Sequence, residues 1–269
     1  MKRRPLAIAF TALFAATSLF AETKPASAPA PPAPAKPAEP AVKLPPLPPQ
    51  PPDVAAPKLA PDGKPNAGFM KSHENFVATA KKGEAQLVFL GDSITAGWGG
   101  NGKEVWAKSF GAYKPANFGI GGDRTQHVLW RIENGELDGI KPKAAVIMIG
   151  TNNSGSDPVE GIAKGVKKIV ETVRSKSPKT RILLLAVFPR GDKPEGKLGA
   201  ANEKLKQVNA ILAKLDDGKH VSFLDIGAKF IETPGELTKE IMPDFLHLSA
   251  KGYQIWADAI SPKLAELMK

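Results

Sequence analysis

The sequence contains no cysteine and only four histidines among its 269 residues. The lack of cysteine excludes a thiol nucleophile, disulfide bonds and metal sites built from thiolates. No two histidines have the spacing of metal ligands, so we expect no metal site. The chain also lacks the Gly-x-Ser-x-Gly elbow that presents the nucleophile in α/β-hydrolases.

Signals for nucleotide or nucleic-acid binding are weak as well. The net charge is +10, but the basic residues are scattered among acidic ones and form no stripe interleaved with aromatic side chains. The stretch from Gly97 to Lys103 fits the first seven positions of a phosphate-binding loop, but Glu104 follows where Ser or Thr would hold magnesium. We therefore predict no cofactor and no nucleic-acid partner, and we interpret this stretch as a flexible loop near the site.

Proline is scarce after residue 66, because residues 1–66 hold 17 of the 26 prolines. Residues 1–21 have a basic start and an apolar run, and they match a signal peptide cut after Ala21. An uncleaved anchor is the alternative, but the run is shorter than the ~20 residues that span a bilayer. Residues 22–66 have too few apolar side chains to offset the entropy of ordering, so they are predicted to be a disordered linker. Residues 67–269 remain as one domain.

Apolar segments typical of strands alternate with helical patterns from residue 86 onwards. Continuous apolar runs such as residues 182–187 are typical of strands buried on both faces of a parallel sheet. The alternation predicts a three-layer α/β/α fold, doubly wound around a central parallel five-stranded sheet. Ser249 is predicted to be the N-cap of the last helix. The predicted strands are residues 86–91, 115–119, 144–150, 180–188 and 220–225, and the predicted helices are residues 68–83, 124–134, 159–175, 199–215 and 249–268.

A serine follows the first predicted strand. Gly91-Asp92-Ser93 ends that strand, at the edge of the sheet where open α/β folds bind their ligands. Near the C-terminus, Asp244 and His247 are three residues apart, so one turn can bring the carboxylate to a ring nitrogen. The other nitrogen is then free to accept the Ser93 proton. Structural interpretations remain open: Ser93 as a helix N-cap, His247 as a surface histidine and Asp244 as a loop residue.

Two further strand ends supply groups that can bind an oxyanion. The second strand ends in a glycine-rich stretch that includes Gly122, and glycine lets backbone N–H groups face a ligand. The third strand is followed by Asn152, whose side-chain amide can donate to an oxyanion at the same sheet edge. Tight turns and ordinary turn chemistry explain each feature separately. They do not explain why all the pieces fall at one edge of one predicted sheet.

These pieces resemble, in chain order, the four sequence blocks of the SGNH (GDSL-type) hydrolase superfamily. The resemblance covers about residues 70–265 and implies a flavodoxin-like fold. Within the superfamily, the chain is similar to the branch of the platelet-activating-factor acetylhydrolase catalytic subunits. The segments that show this second similarity are residues 117–153, 188–191 and 247–253.

The resemblance assigns a role to each site residue. It implies that Ser93 is the nucleophile, that His247 is the base and that Asp244 orients the base. It also implies an oxyanion hole formed by the N–H groups of Ser93 and Gly122 and by the Asn152 side chain. Candidate pocket residues near these positions are Asp92, Asp123, Asn153 and Arg190.

The expected function is that of an exported serine esterase, periplasmic or extracellular in a bacterium, acting on short-chain esters through an acyl-enzyme. Acetyl is the expected acyl group, and carbohydrate or small-molecule esters are the expected substrates because an exported enzyme meets acetylated glycans. The alternatives are an O-acyltransferase acting on glycans, a hydrolase of lipid acyl groups, and a non-catalytic binding module. Four intact blocks disfavour the last of these. We expect no stable membrane anchor after cleavage, and a homodimer is compatible with the sequence.

Overall fold

The computed structural model describes residues 47–191 and 195–269, so the predicted signal peptide and most of the predicted linker lie outside the described residues. The described part contains five strands, β1 (Leu87–Gly91), β2 (Pro115–Gly119), β3 (Ala144–Met148), β4 (Arg181–Leu185) and β5 (Val221–Leu224). They form one parallel sheet in the order β2-β1-β3-β4-β5. This order confirms the predicted flavodoxin-like sheet.

The strand order places a topological switch point at β1. The chain passes from β1 to β2 on one side and then returns to pair β3 on the other side of β1. Gly91 at the end of β1 pairs in register with Gly119 of β2 and Met148 of β3. The carboxyl ends of these three strands therefore lie side by side, and ligands of open α/β sheets bind at such a crevice.

Helices cover both faces of the sheet, as the continuous apolar strands require. The helices are α1 (Ala67–Lys81), α2 (Ser93–Ala96), α3 (Lys103–Phe110), α4 (Thr125–Arg131), α5 (Val159–Lys176), α6 (Ala200–Leu212) and α7 (Ala250–Leu267). Val88 and Leu90 of β1 pack in one core with α1, α4, α5 and α6, whereas Leu87 and Phe89 pack in the other core with α3 and α7. Successive strand residues point to opposite faces and both faces are covered, so every position of β1 is buried.

The predicted cap of the last helix is confirmed, because the Ser249 side chain accepts a hydrogen bond from the Gly252 N–H at the start of α7. The helix predicted at residues 124–134 is shorter: α4 ends at Arg131 and continues as a wider turn over Ile132–Glu136. Gly135 has a φ of 100° in this turn, and that value ends regular helical geometry.

The interpretation of the stretch from Gly97 to Lys103 as a flexible loop is wrong. A tight turn and the start of α3 occupy it, and the buried Trp98 anchors the turn. A Cβ atom on Gly97 would lie 1.9 Å from Tyr253 Oη, and one on Gly102 would lie 2.7 Å from the Trp98 ring. Gly97 and Gly102 are therefore needed for close packing against α7. The spacing of the glycines resembles that of a phosphate-binding loop, but here the packing is its cause.

Residues 47–66, which we call the strap, also differ from the sequence-based prediction of a disordered linker. Pro52 is buried, and its carbonyl accepts a hydrogen bond from Thr125 Oγ1 at 2.8 Å. At the other end of the strap, Asn66 caps α1 by accepting from the Phe69 N–H. Pro52 is the only strap residue that is fully buried, so hydrogen bonds contribute much of the attachment of this segment to the domain. Among the described residues, no helix combines the length and apolar character needed to cross a membrane.

Candidate active site

The end of β1 presents Ser93 at the edge of the sheet. Gly91 is the last strand residue, and Ser93 is the first residue of α2. Asp92 caps this short helix, because its Oδ1 accepts a hydrogen bond from the Ile94 N–H at 3.0 Å. A Cβ atom on Gly91 would lie 2.1 Å from Thr95 Oγ1 and 2.5 Å from the Met148 carbonyl oxygen, so this turn requires glycine.

Two hydrogen bonds join Ser93, His247 and Asp244 in a line. His247 Nε2 lies 2.8 Å from Ser93 Oγ, and His247 Nδ1 lies 2.8 Å from Asp244 Oδ2. With the proton on Nδ1, the ring donates to Asp244 and accepts from the serine hydroxyl. The side chains of Asp244 and His247 are each about two-fifths exposed, so a substrate can reach the serine from solvent.

Hydrogen bonds from backbone N–H groups to the Asp244 side chain fix the loop that carries this residue. Asp244 Oδ1 accepts hydrogen bonds from the N–H groups of Leu246, at 3.2 Å, and His247, at 2.8 Å. Phe245, which directly follows Asp244, has a φ of 61°, a left-handed conformation that is costly for a bulky residue. Burial raises the pKa of the Asp244 carboxyl, but the hydrogen bonds from His247 outweigh it and leave the pKa below its usual value.

The turn after β2 presents Gly122. Ile120 accepts a hydrogen bond from the Asp123 N–H at 3.2 Å, and Gly122 has a φ of 71°, whereas the φ of Gly121 is not positive. This is a type II turn, which favours glycine at its third position. Within residues 47–191 and 195–269, the N–H groups of Gly122 and Ser93 have no protein acceptor.

The loop after β3 brings Asn152 to the same place. Its side-chain amide donates to the Asp123 carbonyl at 2.9 Å, one residue past Gly122, and its second N–H remains available to a ligand. The preceding Gly150 has a φ of 133°, which a residue with a side chain rarely adopts. The structure therefore joins Ser93, His247 and Asp244 by hydrogen bonds, and it places Gly122 and Asn152 next to each other at the same edge of the sheet.

Comparison with known proteins identifies relatives of this chain. Residues 89–255 match the model of the GDSL-like Lipase/Acylhydrolase family. The chain is 38% identical over 216 residues to human platelet-activating factor acetylhydrolase IB subunit alpha1, across 80% of this chain and 90% of the relative. It is 38% identical over 201 residues to the rat alpha2 subunit, across 74% and 85% of the two chains.

The chain belongs to the GDSL-like lipase/acylhydrolase family. The predicted similarity to the acetylhydrolase catalytic subunits is confirmed as well, and the chain is an acylhydrolase of the esterase class.

Solved structures show the same fold at lower identity. A GDSL-like lipase from Bacteroides thetaiotaomicron superposes with a TM-score of 0.61 at 20% identity, over 74% of this chain and 98% of that one. A carbohydrate acetylesterase from Sinorhizobium meliloti superposes with a TM-score of 0.54 at 22% identity, over 67% and 98% of the two chains. The α/β fold predicted from the sequence is therefore the fold of GDSL hydrolases.

Three of the candidate pocket residues are buried in this GDSL-family chain and do not line a pocket. Asp92, Asp123 and Asn153 have no exposed surface. Asn153 accepts a hydrogen bond from the Thr125 N–H at 3.0 Å, and this bond joins the loop after β3 to the start of α4. Arg190 is only partly buried, and it donates to the Thr151 carbonyl at 3.3 Å, which holds the loop that carries Asn152.

A buried ionic cluster, which the sequence pattern did not reveal, supports the GDSL-family site. Arg131 is fully buried, its Nε donates to Asp123 at 3.0 Å, and its Nη1 donates to Glu136. Its Nη2 also donates to the carbonyls of Phe118, at 3.1 Å, and Gly91, at 3.4 Å. One side chain thus connects the ends of β1 and β2 to the turn that presents Gly122. A charged residue at a buried position of α4 is the signal that could have revealed it.

Burial dominates the pKa values of the carboxyl groups around this cluster. It raises the pKa of Asp92 to about 7, and the charge of Asp123 adds to the increase. It also raises the pKa of Glu136 to about 7 and that of Asp123 to about 6, although Arg131 lowers both. These groups lose their protons less readily in the folded chain because a buried charge is poorly solvated.

Proposed function

We propose that this protein is an exported serine esterase that removes acetyl groups, with Ser93 as the nucleophile. The observation that supports this most directly is the line of hydrogen bonds from Ser93 through His247 to Asp244. A serine hydroxyl is a weak nucleophile until a base accepts its proton, and the base in turn needs a partner that fixes its orientation. His247 and Asp244 have the geometry for these two roles.

The reaction begins when Ser93 Oγ attacks the ester carbonyl carbon and its proton passes to His247 Nε2. The negative oxygen of the tetrahedral intermediate accepts hydrogen bonds from the Ser93 and Gly122 N–H groups and from the Asn152 amide. His247 then gives the proton to the departing alcohol, which leaves an acyl-enzyme. Water attacks the acyl-enzyme as His247 accepts one of its protons, and the carboxylic acid departs when Ser93 recovers a proton from His247.

The choice of acetyl rests on similarity. The curated relatives at 38% identity are named acetylhydrolases, and the carbohydrate acetylesterase shares the fold. A profile of p-nitrophenyl esters from acetyl to decanoyl tests the choice, with the highest kcat/KM expected for acetyl. Release of acetate from an acetylated glycan and from a platelet-activating-factor-type lipid then distinguishes the two leaving groups. We favour the glycan because of the proposed export.

Replacement of the nucleophile tests the mechanism. Ser93→Ala should lower the kcat for p-nitrophenyl acetate by about 10⁶, as in other serine hydrolases, and should abolish labelling by a fluorophosphonate. Ser261→Ala is the matched control, because Ser261 lies on α7 and, within the part of the chain that the structure describes, its hydroxyl bonds only to the Ala257 carbonyl. Turnover or labelling retained by Ser93→Ala at an unchanged melting temperature would rule out Ser93 as the nucleophile.

The basic and apolar start of the sequence supports the proposed export. Expression of the full chain in a Gram-negative host should give a mature protein in the periplasm that begins at Glu22, as read by mass spectrometry of the intact protein. A cytoplasmic protein that retains Met1 would contradict the export proposal and leave the chemistry unaffected.

A further inference from the structure

The strap places Lys58 behind the turn that presents Gly122. Lys58 Nζ donates a hydrogen bond to the Gly121 carbonyl at 2.6 Å. The contact is close enough that a Cβ atom on Gly122 would lie 2.8 Å from Nζ. An ammonium group from a distant part of the chain therefore contacts the backbone of the proposed oxyanion hole.

Several bonds hold Lys58 in this place. The Lys58 carbonyl accepts from the Asn66 N–H at 2.8 Å, and the nearby Ala56 N–H donates to the Gln126 carbonyl at 3.2 Å. Gln50 adds two contacts, since its side-chain amide donates to the Pro57 carbonyl and its own carbonyl accepts from the Gln126 side chain. The backbone of Lys58 is thus fixed on both sides, which reduces the entropy cost of holding its side chain at Gly121.

The Gly121 carbonyl and the Gly122 N–H belong to the same peptide group. In a planar trans peptide the C=O and N–H bonds point in opposite directions, so the N–H faces away from Lys58. A charge-assisted hydrogen bond to the carbonyl draws electrons towards its oxygen and makes the N–H a stronger donor. We propose that Lys58 is a positioning residue that strengthens the Gly122 N–H towards the oxyanion, an inference that rests on the proposed esterase function.

Recognition of an anionic substrate is the alternative role for Lys58. Lys58 and Arg124 line a groove of about 590 Å³ that also includes Gly122. Asp157 lies in the same groove, 4.0 Å from the Arg124 guanidinium, and offsets part of the positive charge. The bond to Gly121 already engages Lys58, so we favour the effect on the peptide. The two roles differ in kinetics, because peptide polarisation acts on every ester and anion recognition acts only on charged ones.

The test compares Lys58→Met with wild type on p-nitrophenyl acetate, which is neutral, and on 4-acetoxybenzoate, which is anionic. Loss of a whole oxyanion donor costs 10²–10³ in kcat, so weakening one should lower kcat roughly three- to tenfold on both esters. KM for the neutral ester should stay within about twofold. Lys58→Arg, which keeps a charged donor, should recover most of kcat.

Lys64→Met is the matched control, because Lys64 lies on the same strap with a side chain that is 81% exposed and that, among the described residues, pairs only with Asp62. It should leave kcat unchanged. An unchanged kcat in Lys58→Met, or a rise in KM confined to the anionic ester, overturns the inference while the esterase function stands. Absence of Ser93-dependent turnover in wild type overturns both. Melting temperatures within about 2 °C of wild type would exclude a general loss of folding.

Discussion

At the scale of single residues, Arg131 provides the sharpest test of what stabilises the site. It is fully buried and contacts two buried carboxylates, Asp123 and Glu136. Arg131→Met leaves these acids without their counter-charge, so it should lower the free energy of unfolding by about 3–5 kcal/mol at neutral pH. Arg131→Lys should recover only part of this loss, because one ammonium cannot replace the planar fork that donates to both carboxylates. Urea denaturation measures both variants.

Arg181→Met is the control for this experiment. The Arg181 guanidinium donates a hydrogen bond to the Glu266 carbonyl at an exposed position. Its loss should change the free energy of unfolding by less than about 1 kcal/mol. An equal effect of the two substitutions would show that the buried ion pairs contribute no more than a surface contact. The penalty of Arg131→Met should also shrink at low pH, where Asp123 and Glu136 are protonated.

At the scale of elements, the attachment of the strap to α5 depends on Gly165. A Cβ atom at this position would lie 2.5 Å from the Pro52 carbonyl oxygen and 2.6 Å from Thr125 Oγ1. Alanine is the better helix former by about 1 kcal/mol, but here its methyl group must displace backbone. We expect Gly165→Ala to destabilise the protein by about 1–3 kcal/mol and to expose residues 47–66 to limited proteolysis.

Gly68→Ala is the matched substitution in α1. The new Cβ would lie 3.4 Å from the Asn66 side chain with no closer atom, and the position is exposed. Helix propensity then decides the sign, so this variant should be more stable by up to about 1 kcal/mol and should leave the strap protected. Stabilisation of the protein by both substitutions would contradict the close packing of Pro52 against α5.

At the scale of the whole molecule, local patterns were enough to predict the sheet. The central strands β1 and β3 and most of β4 are continuous apolar runs buried on both faces, and such runs are visible in the sequence itself, whereas the edge strands β2 and β5 are only partly buried. The carboxyl ends of parallel strands share an edge, so the sequence alone predicts that Ser93, Gly122 and Asn152 lie together. The Asp244–His247 pair was accessible for a similar reason, since its two residues lie within one turn.

Contacts between residues far apart in sequence explain what the sequence did not show. The composition of the strap correctly indicates little apolar burial, but it does not reveal that the Pro52 carbonyl would meet Thr125 Oγ1. The same limit applies to Arg131, whose partners are set by the packing of α4 beneath the sheet edge. Helix α3 is short and mixed in polarity, so no periodicity distinguished it from a loop.

The buried acids also determine how the stability of the molecule depends on pH. The folded chain holds a proton on Asp92 up to a pKa of about 7, whereas the unfolded chain loses it near the ordinary value of 3.8. Between these two values the folded state binds more protons, so the contribution of Asp92 to stability falls as pH rises. Asp92→Asn keeps an acceptor for the Ile94 N–H and removes the charge.

The last prediction concerns the difference in stability between wild type and Asp92→Asn. His127, whose pKa burial lowers to about 3, destabilises the fold at acid pH, but it is common to wild type and variant and cancels in the comparison. Relative to wild type, Asp92→Asn should therefore gain about 2–3 kcal/mol of stability between pH 5 and pH 8. Urea denaturation at the two pH values measures this gain. A stability difference that stays constant with pH would mean that Asp92 is already ionised in the fold at pH 5, with solvent or a cation compensating its charge.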